Sequence, residues 1–168
     1  MRIYLLRHGI AEPQSESNDF SDANRALTPA GITKLKQAGL GLTKLGVRLE
    51  LVASSPLVRA RETAENVTAI LKCKEPIQLW DELAPGGSLD GLMQKLQRHQ
   101  DKDSVLLVGH QPDMGFLASF LVFGSNQISL AFKKGAICCV QVNEVPPQFP
   151  GELLWMLTPK ILKKLGGK

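Results

Sequence analysis

Residues 3–9 read IYLLRHG, a short apolar run closed by an arginine, a histidine and a glycine. The run has the length and filling of a buried β-strand. A turn residue alone would end such a strand, and Gly9 would suffice. Arg7 and His8 stand instead where the chain leaves the sheet, the edge at which open α/β proteins bind ligands.

Working outward from this strand, sheet-like and helix-like runs alternate along the 168 residues. A polar stretch at 14–26 reads as a long loop, and 27–46 as a helix with Thr28 as N-cap, Pro29 in the first turn and Gly46 as terminator. Residues 49–54 form a second strand, and 55–72 a second helix capped by Ser55 with Pro56 behind it. A third strand at 76–80 and a third helix at 88–99 follow. The nearly continuous apolar run 103–110 suits a central parallel strand covered on both faces. A fourth helix spans 112–124, and 135–143 and 152–158 read as an antiparallel pair around the proline-rich PPQFPG turn. The expected fold is a three-layer α/β/α sandwich in one domain, 1–168, with a mainly parallel central sheet and an antiparallel C-terminal strand.

Composition narrows the function. Hydrophobic residues make up 43% of the chain, enough for a real core. No apolar run approaches the ~20 residues of a membrane span, and no signal peptide is recognisable. The net charge of +4 owes much to the tail PKILKKLGGK, which reads as a solvated, frayed terminus. Without a basic stripe and interleaved aromatics, nucleic acid is not an expected partner. Cys73, Cys138 and Cys139 lack metal or disulfide spacing and suit a reducing cytoplasm. The adjacent pair is expected on one strand, pointing to opposite faces. His99, at a polar helix end, is expected to be solvated.

Two strand ends resemble each other: Arg7-His8-Gly9 after the first and Gly109-His110 after the fourth. After the second, Ser54-Ser55-Pro56 leads into a helix carrying Arg59 and Arg61. Residues two apart on a helix do not share a face, so one of these arginines points to the pocket and the other to the surface. Guanidinium forks match phosphate oxygens. A neutral imidazole can attack phosphorus and carry the phosphoryl group covalently, and neighbouring arginines keep it neutral. Gly9 permits close backbone approach to a ligand. A metal held by the histidines and Asp113 is the competing use, but the spacing matches no ligand pattern and arginines repel a cation.

These residues resemble the histidine phosphatase (phosphoglycerate mutase-like) superfamily: Arg-His-Gly after the first strand, Ser55-Pro56-x-x-Arg59-x-x-x-Thr63, and a late Gly109-His110. Within it, RALTPAG (25–31), ELAPGG (82–87), VGHQPDMGFLASFL (108–121) and WMLTP (155–159) are similar to the SixA-type phosphohistidine phosphatases. The resemblance implies that His8 is the nucleophile, that Arg7, Arg59 and His110 bind the phosphoryl oxygens, and that neither metal nor organic cofactor takes part. Arg25 either borders the pocket or lies on the surface.

The expected function is that of a cytoplasmic phosphatase passing through phospho-His8, with phosphohistidine in a signalling protein as substrate. A small phosphorylated metabolite or nucleotide is the alternative substrate, and a non-catalytic phosphoprotein-binding module the alternative class. A monomer is expected. The general-acid position of ester-cleaving relatives falls on either Glu82 or Pro85, and the SixA-type likeness favours the proline.

Overall fold

The computed structural model describes residues 1–14 and 22–167. The six-stranded sheet has the order β3-β2-β4-β1-β5-β6, built from β1 (Arg2–Arg7), β2 (Leu51–Ser54), β3 (Ile77–Leu79), β4 (Ser104–Gly109), β5 (Ile137–Gln141) and β6 (Glu152–Leu157). β3, β2, β4 and β1 pair in parallel, and β5 and β6 complete the sheet as antiparallel neighbours. Side-chain alternation sorts the strands between two cores. Ile3, Leu5, Val105, Leu107 and Cys138 face one side. Tyr4, Leu6, Leu106, Val108 and Cys139 face the other. The two cysteines therefore do point to opposite faces.

Helices α1 (Pro29–Lys44) and α2 (Val58–Leu71) cover the second face; α3 (Leu89–Gln97) and α4 (Asp113–Phe123) cover the first. This is the expected α/β/α sandwich. Thr28 caps α1, its side chain accepting from the Gly31 amide at 2.9 Å, and Gly46 leaves the helix at φ +70°. Ser88 caps α3 in the same way, accepting from Gly91 at 3.0 Å.

Three local expectations need correction. The second helix begins at Val58, behind an extended Leu57 that offers no side-chain cap; Ser55 is thereby released for another task. The tail does not fray: Pro159–Gly166 form α5, which buries Leu162 against α1. The spacing of Ile161, Leu162 and Leu165 gives the lysine-rich segment an apolar stripe, and a smooth landing surface on α1 completes it. A Cβ at Gly41 would collide with the Leu162 carbonyl, so glycine there sets the closeness of the two helices. His99 is not simply solvated but stacks on Trp80, ring centroids 5.9 Å apart. The loop expected at 14–26 contains a short 3-10 turn, Asp22–Asn24; its residues 15–21 lie outside the described residues.

Leu162→Ala should cost about 2–5 kcal/mol, the range for truncating a buried leucine. Chemical denaturation measures this, and an unchanged midpoint would mean that α5 adds nothing to the core.

Candidate active site

The site is an outcome of strand order. β4 lies between β1 and β2, with Arg7 opposite Gly109 and Ser54 opposite Val108. The chain ends of these strands stay in step one residue further. The His8 amide donates to the Gly109 carbonyl at 3.0 Å, and the Ser55 amide to Val108 at 2.9 Å. His8 and His110 are thus brought side by side, ring centroids 5.1 Å apart. Both are almost fully buried, at 7% and 3% exposure.

The hydrogen bond to Gly9 fixes the His8 tautomer. His8 Nδ1 lies 2.7 Å from the Gly9 carbonyl, which can only accept, so Nδ1 carries the proton and Nε2 keeps its lone pair. Ser55 Oγ accepts from the Leu57 amide at 3.3 Å and lies 2.9 Å from His110 Nε2. Among the described residues the Ser55 hydroxyl proton has that nitrogen as its acceptor. With Nε2 as that acceptor, His110 Nδ1 is an N–H donor, buried and, among the described residues, without a partner.

Electrostatics keeps both rings neutral. Burial, reinforced by the charges of Arg59, Arg7 and Lys134, lowers the His8 pKa to about 4, against an opposing push from the bond to Gly9. Burial, together with His8 and Arg59, lowers His110 to about 3. At neutral pH His8 is an uncharged imidazole with a free lone pair in a cationic surrounding.

The arginines are held from behind. Arg7 donates to the Phe132 carbonyl at 2.6 Å. Arg59, on α2, donates to the Asp22 carbonyl at 2.7 Å and to Asp22 Oδ2 at 2.9 Å. In each case the Nε atom is buried and, among the described residues, unpartnered. Unsatisfied buried donors cost about 1–3 kcal/mol each. Arg7 Nε, Arg59 Nε and His110 Nδ1 together suit a polyoxygen anion, which could pair with all three.

The other candidate residues are placed elsewhere. Arg61 pairs with Glu65 at 3.6 Å on the exposed side of α2. Arg25 lies one step out: its Nε donates to Asp22 Oδ1 at 2.8 Å, and a second nitrogen to the Glu12 carbonyl at 3.0 Å. It borders the site through Asp22. Burial pushes the Asp22 carboxyl up, but the hydrogen bonds from Arg25 and Arg59 outweigh it and hold the pKa below its ordinary value. Glu82 pairs with Lys95 of α3 at 2.7 Å; that bond, against some burial, holds it ionised below its ordinary range. Pro85 is exposed. Asp113 accepts from the Gly86 amide at 3.3 Å.

Gly9 has a packing task that the sequence did not show. Its amide is already donated to Thr63 Oγ1 at 3.0 Å, and a Cβ would lie 2.7 Å from Leu35 Cδ1. Thr63 in turn donates to the Arg59 carbonyl at 2.6 Å, linking the turn after β1 to α2. Sequence reasoning gave no role to Asp22 or Gln111, read Ser55 as a helix cap, and placed Thr63 in the motif without a task. Gln111 braces the segment behind Arg7, donating to Leu130 O at 3.1 Å and accepting from the Phe132 amide at 3.4 Å. The signals were thin: an Asp three residues before Arg25, and polar residues beside the two histidines.

Both imidazoles have lowered pKa values in the fold, so the unfolded chain binds protons that the folded chain refuses. Stability should therefore fall as pH drops from about 6.5 towards about 4 for His8 and about 3 for His110, at roughly 1.4 kcal/mol per pH unit for each ring. Comparing wild type with a His8→Asn/His110→Asn variant across pH 4–7 isolates this slope from that of the carboxylates. Parallel curves would overturn the assignment of two neutral rings.

Comparison with known proteins shows the family. The sequence profile of the histidine phosphatase superfamily (branch 1) matches residues 3–93. An uncharacterized protein from Picosynechococcus sp. is 35% identical over 166 residues, covering 96% of this chain and 99% of that one. The phosphohistidine phosphatase SixA of Escherichia coli is 29% identical over 165 residues, covering 97% of each chain. A solved structure of the protein histidine phosphatase SixA complexed with tungstate superimposes with a TM-score of 0.85 at 29% identity, covering 96% of this chain and 99% of that one. Fold, matched residues and relatives converge, and the chain belongs to the histidine phosphatase superfamily, branch 1.

Proposed function

We propose that this protein is a metal-independent phosphatase that passes through phospho-His8 and removes phosphoryl groups from phosphohistidine in a protein. The observation that carries the proposal is the state of His8: a neutral ring with Nδ1 hydrogen-bonded to Gly9 O and Nε2 unprotonated, accompanied by three nitrogens on Arg7, Arg59 and His110 that have no partner among the described residues. The likeness to SixA, a phosphohistidine phosphatase by name and a tungstate binder in one structure, supports the substrate class.

In the first step His8 Nε2 attacks phosphorus while the bond from phosphorus to the substrate imidazole breaks. The three phosphoryl oxygens lie against Arg7, Arg59 and His110 Nδ1–H, which stabilise their charge in the transition state. The departing ring takes a proton from solvent. In the second step water attacks the phosphorus on His8, phosphate leaves, and the Nε2 lone pair is restored. The arginines make this site hostile to a divalent cation, so the charge that a metal would supply comes from guanidinium.

The substrate class follows from the leaving group. An alkoxide needs a general acid, worth about 10²–10⁴-fold. Glu82 is ionised and tied to Lys95, and so is a poor acid. Imidazole leaves readily once protonated, so phosphoramidates tolerate that lack. Three free thiols, with Cys138 pushed up to about 12 by burial, accord with a cytoplasmic location.

Rapid-quench labelling with a phosphohistidine peptide should trap an acid-labile, base-stable phosphoryl group on His8, and His8→Ala should abolish turnover by several orders of magnitude. Arg7→Ala and Arg59→Ala should each lower kcat/KM by about 10²–10³-fold, whereas Arg61→Ala should change it little and EDTA not at all. More than a few per cent of activity left in His8→Ala would refute the nucleophile.

Glu82→Gln should leave phosphoramidate hydrolysis within about threefold of wild type, far from the loss of a true general acid. Rapid hydrolysis of a serine-type phosphate ester, abolished by the same change, would move the enzyme to an ester substrate.

A further inference from the structure

Beside the site runs a groove of about 630 Å³ lined by Lys34, Lys133, Lys134, Lys160 and Lys163. Neither α1 nor α5 carries an acidic residue, and the turn at 132–135 reads Phe-Lys-Lys-Gly. None of the five lysines takes part in an ion pair among the described residues. Clustered like charge repels itself and destabilises the folded state. Lys160 stands in the first turn of α5, where the helix dipole disfavours a cation. Fold stability therefore does not account for the cluster.

The groove adjoins the segments that carry Arg7 and His8. The Gly135 amide is shared between the Arg7 and His8 carbonyls, at 3.1 and 3.0 Å, and the Phe132 carbonyl holds Arg7. The turn that carries Lys133 and Lys134 is thus strapped to the backbone of the nucleophile. Ile10, two residues after His8, lines the groove with Pro159 and gives the lysine stems an apolar floor.

We propose that this groove docks an acidic segment of the phosphoprotein substrate and aligns its phosphohistidine with His8; the inference rests on the phosphoprotein reading above. A small phosphorylated molecule would need only the arginine and histidine cluster, whereas a groove reaching along α1 and α5 matches a polypeptide. Among the described residues no aromatic side chain lines it, which removes the stacking platform typical of single-stranded nucleic acid sites. Charges at such a rim act mainly on association rate and are sensitive to salt.

The test uses Lys34→Glu/Lys160→Glu/Lys163→Glu, with a triple Lys→Arg variant that keeps the charge as control. The probes are two synthetic phosphohistidine peptides, one glutamate-rich and one glutamine-rich, together with inorganic phosphoramidate. At low salt the wild type should favour the glutamate-rich peptide by about tenfold or more in kcat/KM, in line with electrostatic steering, and 0.5 M salt (roughly a 4 Å screening length) should erase the preference. The Lys→Glu variant should lose the preference and keep phosphoramidate turnover within about twofold, with Lys→Arg restoring wild-type behaviour. A preference unchanged in the Lys→Glu variant, or an equal loss on phosphoramidate, overturns the groove. Anisotropy with a labelled, unphosphorylated glutamate-rich peptide tests docking without catalysis. Binding there with no phosphohistidine turnover would reject the substrate reading and keep the groove, whereas no binding with normal turnover would do the reverse. Tighter binding of an oligonucleotide or of phosphatidylglycerol vesicles through the same lysines overturns the acidic-protein partner.

Discussion

The pairing of β1 with β4 is the constraint on which the rest depends. Parallel neighbours bring their carboxyl ends to the same edge, and the register Arg7 to Gly109 leaves His8 and His110 as the next residues out. One backbone bond, from the His8 amide to the Gly109 carbonyl, continues the ladder past the last strand pair and locks the two rings at one level. A one-residue slip would reverse every side chain on the strand. It would separate the rings and exchange the Ile3/Leu5 and Tyr4/Leu6 faces between the two cores. Core packing and catalytic geometry are therefore specified by the same register.

Around that pair, each charged group is positioned by a neutral or oppositely charged support rather than by its own helix or strand. Phe132 O holds Arg7, Gln111 braces the segment containing Phe132, and Asp22 joins Arg59 to Arg25. Thr63 ties the turn after β1 to α2. Held in this way, the guanidiniums would need little reorganisation on meeting the oxyanion of the proposed reaction. The repulsion among them and the burial of two imidazoles are costs borne by the large apolar cores on both sides of the sheet.

Much of this was legible residue by residue. Alternating apolar runs announced the layers, and the arginine and histidine at strand ends marked the edge where they meet. The misreadings share one cause, a local rule overridden by a distant partner. Ser55 stands where a helix cap is expected, yet His110 claims its hydroxyl. The lysine-rich tail has the composition of a frayed end, yet Leu162 finds a glycine-smoothed seat on α1.

By itself the sequence determined the order of elements, the three-layer class and the identity of the groups at each strand end, because these follow from apolar periodicity and turn chemistry within a few residues. Tertiary structure alone decided that β4 enters between β1 and β2, which ring nitrogen of His8 stays unprotonated, and that Glu82 turns to Lys95. It also decided that lysines from α1, α5 and the 132–135 turn line one groove. Each of these depends on contacts between segments tens of residues apart, and no local pattern encodes which distant neighbour a side chain will meet.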